Sequence, residues 1–194
     1  MNVKKEILTL IMIMTCGLIS AQVEIRGTVL SELTGMKPEA DIYIEVLKSR
    51  HPGTMADSLG KFRLEYLEPN KEYLLKISAF GFPTQEFEAI TNTGITNELF
   101  LLKAECEFDA EKADSDWKNG KPKLLLFGSI APVANTKADE RFEKNYKIEY
   151  YDFGCTPPAM DCLKLYNERI FELMDEKYGK EWRKKVRPDV EYLN

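Results

Sequence analysis

From Val23 to Leu102 apolar and polar residues alternate in short runs, broken by Gly, Pro, Asn and Asp. The run V-E-I-R-G-T-V-L at 23–30 puts Val23, Ile25, Gly27 and Val29 on one face, and 41–47 does the same with Ile42, Ile44 and Val46. Phe62, Leu64 and Tyr66 point inward in a third run and Tyr73, Leu75 and Ile77 in a fourth. Segments 85–90 and 95–102 complete the set. Alternation of period two is the mark of a strand with one buried face. Asp57-Ser58-Leu59-Gly60, Arg50-His51-Pro52-Gly53 and Glu68-Pro69-Asn70-Lys71 are turns between strands, with Asp bonding its own backbone and Gly accepting positive φ. So many strands in so short a stretch predict a β-sandwich over residues 22–102, of the seven-stranded immunoglobulin-like kind.

The pattern changes twice beyond it. Residues 103–121 are rich in Asp, Glu and Lys and lack apolar periodicity until Trp117, which predicts an acidic, solvated linker. From Pro122 to the end the period mixes, predicting a small α/β region over 122–194. Residues 124–127 and 147–153 read as strands and 139–146 as two helical turns. An amphipathic helix at 159–178 carries Leu163, Tyr166, Ile170, Leu173, Met174 and Tyr178 at three- and four-residue intervals, with Gly179 as its cap. A short second helix at 181–186 ends before Pro188. The fold class is therefore mainly β with an α/β tail.

Gly27, Ala40, Asp57, Gly60, Phe62, Pro69, Tyr73 and Phe80-Gly81-Phe82, in that order, resemble the carboxypeptidase regulatory-like domain, a transthyretin-like seven-stranded sandwich. The resemblance implies a non-catalytic accessory module. The tail, through its F-E-K-x-Y, Y-Y-D-F-G-C and Y-G-K-E-W-R segments, resembles the C-terminal region of uncharacterised exported proteins of Bacteroidota-type bacteria, and implies no activity.

Residues 1–21 change the picture of location. Lys4 and Lys5 precede a nearly continuous apolar run, and Ser20-Ala21 supply small residues before Gln22, as in an export signal that is removed. Lipidation at Cys16 is the alternative, with Thr15 standing where such signals favour Gly, Ala or Ser. The expected address is the periplasm or cell surface. The net charge of −5 and the absence of a basic domain argue against nucleic acid. No later stretch is apolar for long enough to span a bilayer.

Candidate chemistry is sparse. Export places Cys106, Cys155 and Cys162 in an oxidising compartment with one left over. Cys155 and Cys162, separated by six residues across a Pro-Pro corner, are the expected disulfide, worth about 2–3 kcal/mol for so short a loop. Cys106 pairing with either would instead staple sandwich to tail. Their spacing does not match a redox C-x-x-C motif. One histidine, His51, excludes a metallopeptidase with paired His ligands, while a zinc site of three thiolates plus His51 needs long-range convergence. No strand–G-x-S-x-G–helix elbow surrounds Ser129. The acids of 103–121 lack the spacing of a calcium loop around a glycine. Surface binding has two candidates: Trp182 with the basic Arg183, Lys184 and Lys185, and the aromatic run Tyr150-Tyr151-Asp152-Phe153. No cofactor is expected. The functional expectation is a non-enzymatic binding or scaffolding module at the cell envelope, its partner a protein or polysaccharide. The alternative is a thiol- or metal-dependent enzyme in the tail.

Overall fold

The computed structural model describes residues 22–128, 134–154, 156 and 158–193. The expected signal segment, Cys16, Ser129 and Cys155 lie outside them. Among the described residues the chain is mainly β, with several sheets and three α-helices.

Seven strands form the first part: β1 (Glu24–Ser31), β2 (Ile42–Val46), β3 (Thr54–Met55), β4 (Lys61–Leu64), β5 (Glu72–Ala79), β6 (Gln85–Ile90) and β7 (Ile95–Leu102). One sheet has the order β4-β1-β7, with β1 antiparallel to β4 and parallel to β7. The other has the order β3-β2-β5-β6, antiparallel throughout. The inward residues of both sheets make one core, including Ile25, Val29, Ile42, Leu64, Leu75, Ile77 and Leu102, all fully buried. Gly27 belongs to that inner face because a Cβ there would lie 2.1 Å from the Phe62 ring, so its missing side chain makes room for the phenyl. Strand β3 escapes the sequence pattern, since two residues are too few to show a period. Tyr66, expected inward, is 84 % exposed: its φ of +59° ends the strand alternation after Leu64 and throws the ring outward.

The tail is layered around a second core. Strands β8 (Lys123–Leu126) and β9 (Glu149–Asp152) are parallel, and α2 (Lys137–Tyr146) makes the crossover that parallel neighbours need. Thr136 and Asp139 form a capping box at the start of α2. Helix α3 (Met160–Tyr178) lays Leu163, Tyr166, Ile170, Phe171 and Met174 against Leu124, Leu125 and Leu126. Asn167, fully buried on α3, accepts from the Leu125 N–H (2.9 Å) and donates to the Leu125 carbonyl (2.8 Å). Its amide thus satisfies backbone groups on β8 that would otherwise be buried unbonded.

The segment expected to be a solvated linker is a helix, α1 (Ala110–Lys118), capped by the Asp109 side chain. It packs on α3 through fully buried Ala113, and the Asp116 carboxylate accepts from the buried Tyr166 hydroxyl (2.9 Å) and from Lys112 (2.7 Å). Burial, reinforced by the neighbouring Asp116, raises the Tyr166 phenol far above its usual range. A helix that buries one alanine and one paired acid has no apolar stripe to announce it.

Sandwich and tail are joined at the first turn of α3. Cys162 is bonded to Cys106, 56 residues away, with Cα atoms 5.4 Å apart. The expected Cys155–Cys162 bridge is thereby corrected. Cys162 faces the sandwich core beside Ala159, and the irregular segment that follows β7 brings Cys106 to it. Proximity in sequence did not decide the partner; the direction of the helical side chain did. Gly81, at φ +81°, lies under the same turn, where a Cβ would come within 2.6 Å of the Ala159 Cα. Tyr192 donates to Glu39 (2.9 Å) across the same junction.

The end of α3 is closed by a 3-10 turn, Lys180–Lys184. Trp182 is fully buried against Phe171, and its indole N–H donates to Asp175 (2.9 Å). Arg183 also grips Asp175, through Nε and Nη2, each at 3.1 Å.

Two outcomes follow from these contacts. Cys106→Ser should lower the unfolding free energy by about 4 kcal/mol, the chain-entropy value for a loop of this length, and reductant should lower the wild type equally in urea titrations. The Arg183 guanidinium, above all, holds the Asp175 carboxyl below its ordinary value, with the Trp182 indole assisting against burial. A depressed native value means stability that is present above about pH 4 and is lost as pH falls through the native value. Asp175→Asn should therefore cost about 1–2 kcal/mol at pH 7 and flatten the acid limb of a stability–pH profile.

Candidate functional site

The basic C-terminal segment is only partly a surface. Trp182 is a core residue, which corrects its reading as an exposed stacking group, and Arg183 is engaged with Asp175 and with the Phe171 and Trp182 rings. Lys184 and Lys185 are exposed, and Lys184 pairs with Glu181 (3.0 Å). The aromatic run behaves similarly. Tyr150 is buried, its phenol pushed up to about 12 mainly by that burial, and Tyr151 and Phe153 pack on Phe108. Among the described residues no three His, Cys, Asp or Glu side chains are placed to share a metal ion, and no helix is long and apolar enough to cross a membrane.

His51 acts as a clasp. Its Nδ1 accepts from the Gly53 N–H (3.1 Å), which leaves Nε2 to donate to the Glu65 carbonyl (3.1 Å). Both ring nitrogens are thus used to tie the 49–53 turn to the end of β4. The ring is a structural part of the rim beside it.

That rim borders an open cleft of about 790 Å³ at one end of the sandwich. Its walls come from the turn after β2 (47–51), the turn after β4 (66–68), the start of β5 (71–74) and Glu88 of β6. The floor is firm. Leu67 is buried, the Tyr73 hydroxyl accepts from the Glu68 N–H (2.8 Å), and Thr91 Oγ1 donates to the Glu68 carbonyl (2.7 Å) while accepting from the Lys71 N–H (3.0 Å). Three residues of this end, Lys48, Tyr66 and Asn70, sit at left-handed φ of 54°, 59° and 52°. Such backbone costs on the order of 1–3 kcal/mol for a non-glycine residue and concentrates at ligand sites. Tyr66 is the one that uses it to hold a ring in solvent.

The charge around the cleft is balanced. Lys48, Arg50 and Lys71 stand with Glu68, Glu72 and Glu88, and Lys71 is already paired with Glu68. An exposed aromatic face among alternating donors and acceptors, without net charge, suits a neutral ligand rich in hydroxyl groups rather than an ion. The alternation of the sequence points to none of this. Tyr66 falls at an inward position, and the left-handed φ that redirects it is set by the turn into Leu67. The one legible sign is the neighbouring Glu-Pro-Asn-Lys turn.

No family model matches the chain, and no curated protein does. Solved structures share only partial likeness. A DUF3823 family protein from Bacteroides uniformis is 17 % identical over 42 % of this chain and 43 % of its own, with a TM-score of 0.31. A DUF3823 family protein from Parabacteroides merdae is 10 % identical over 43 % and 46 %, with a TM-score of 0.29. A type II cohesin-X-dockerin complex from Acetivibrio cellulolyticus is 12 % identical over 75 % of this chain and 94 % of that one, with a TM-score of 0.37. The chain spans less than half the length of either DUF3823 structure. At these identities and scores the function has to be read from the chain itself.

Proposed function

We propose that this chain is an exported, non-enzymatic binding module of the bacterial cell envelope, and that the sandwich-end cleft takes a saccharide of the envelope. The observation that carries this reading is the Tyr66 ring, 84 % exposed on left-handed backbone at the mouth of the cleft. A turn with no role beyond connection would be more stable with glycine there, since glycine meets no Cβ penalty at positive φ. The seven strands in two sheets are taken as the transthyretin-like, carboxypeptidase regulatory-like arrangement, whose accessory character agrees with binding. The Cys106–Cys162 bridge suits an oxidising compartment, as the expected signal segment does. Lys184 and Lys185 add a secondary contact for an anionic partner.

Removing the ring is the test. Tyr66→Gly should weaken retention by envelope polysaccharide in affinity electrophoresis by about tenfold, and leave stability unchanged or raise it by up to about 1 kcal/mol as strain is relieved. Arg50→Ala, which also lines the cleft, should weaken retention as well. Unchanged retention in both variants would remove the cleft from the reading. Turnover of a glycan, peptide or ester that disappears on changing one tail residue would replace the non-enzymatic reading altogether.

A further inference from the structure

The two sheets of the sandwich present four edge strands, and three of them are guarded. Strand β3 has two residues, β4 has four with Lys61 and Arg63 exposed, and β6 exposes Glu86 and Glu88. Short length and outward charge are the means by which edges avoid pairing with other chains. Strand β7 has neither protection. It runs eight residues, I-T-N-E-L-F-L-L, with one charge and no Pro, Lys or Gly. Ile95, Leu99 and Leu101 are 46 %, 58 % and 41 % exposed on its outer face.

The register shows which backbone groups face the open side. Glu24 N donates to the Gly94 carbonyl (3.2 Å) and Glu32 N to the Leu102 carbonyl (2.9 Å), so the even-numbered residues of β7 are bonded to β1. The odd-numbered residues therefore turn their N–H and C=O groups away from it. At one end the Asn92 amide donates to the Ile95 carbonyl (3.3 Å). At the other the Gln85 amide holds the Lys103 carbonyl (3.0 Å) and the Lys103 N–H (3.1 Å). Both ends of the edge are thus closed by side-chain amides. The stretch at Asn97, Leu99 and Leu101 is where a further strand would bond.

We infer that this edge pairs with β7 of a second copy of the chain, antiparallel, about a two-fold axis at Leu99. In that register Leu99 faces Leu99 of the second copy, and Asn97 and Leu101 face each other twice. Each of these pairs exchanges both backbone bonds. Leu99 and Leu101 from both copies then form one apolar cluster on the outer face. A shift of the axis to Glu98 would set Glu98 against Glu98, a like-charge pair directly across the strands. A shift to Phe100 would oppose Asn97 to Lys103, whose backbone groups Gln85 already holds. The nearby cations, Arg26, Lys61 and Arg63, lie on β1 and β4, set back from the axis, and Glu24 lies between the two arginines as counter-charge. The contact is isologous and closes at two copies, so it does not propagate into fibres.

Sedimentation equilibrium on a chain starting at Gln22, which keeps every described element, reads the association. The average mass should approach twice the monomer on the order of 100 µM, as for a small interface. Leu99→Lys should weaken association at least about tenfold with unchanged circular dichroism, by adding the guard that the edge lacks. In a Cys155→Ser background, Leu99→Cys should form a disulfide-linked dimer, because bonded antiparallel partners stand about 5.5 Å apart at Cα, within disulfide reach. Ile95→Cys should not cross-link. A wild type that stays monomeric at that concentration overturns the inference, including the case in which the edge serves a foreign strand instead. So does a Leu99→Lys chain that associates as the wild type does, or an Ile95→Cys chain that cross-links as readily as Leu99→Cys.

Discussion

The architecture hangs on the first turn of α3, which belongs to two hydrophobic cores at once. Ala159 and Cys162 are buried with the sandwich, whereas Leu163, Tyr166 and Ile170 are buried with the tail. Successive helical residues diverge by about 100°, so neighbours as close as Cys162 and Leu163 serve different cores. The Cys106–Cys162 bond and the close approach of Gly81 to Ala159 make this shared turn a fixed junction instead of a tether. Helix α1 is the consequence. The chain between Cys106 and Pro122 is anchored at its start by the bridge and along its length by α3, which leaves the Asp109 cap and Ala113 enough context to fold as a helix.

That junction divides the molecule into ends of different character. Near the tail, polar groups of the sandwich are answered, as where Tyr192 reaches Glu39 and Gln85 holds Lys103. The cleft around Tyr66 lies on turns that take no part in the junction, and its rim carries strained backbone supported from beneath by Thr91 and Tyr73. Strain of that kind persists only where surrounding contacts over-determine it. Strand β7 is a third region, its inner face committed to the core and its outer face and free edge left unguarded. A binding cleft and a self-pairing edge on separate elements would let one copy hold a ligand while joined to another.

Much of the strand and helix content was open to reading because burial on one face writes itself as a period. Ile42, Ile44 and Val46 alternate, and Leu163, Tyr166, Ile170 and Met174 repeat as a helix does, and all are buried. The interaction sites were less legible. Trp182 carries a large ring in a basic run, which reads as a surface, yet Asp175, seven residues earlier, supplies the partner that lets the indole and Arg183 fold inward. Tyr66 carries the opposite lesson, an aromatic at an inward position that one left-handed residue turns out to solvent.

The amino-acid sequence by itself determined the mainly β first part, the mixed tail and the long amphipathic helix, because each depends on spacing within a few residues. Tertiary structure alone decided the partner of Cys162, the helix in the acidic segment, the exposure of Tyr66 and the unguarded state of β7. These depend on which surfaces meet across tens of residues. The reason is physical: local periodicity reports that a face is buried, while the identity of what buries it is a property of the assembled layers.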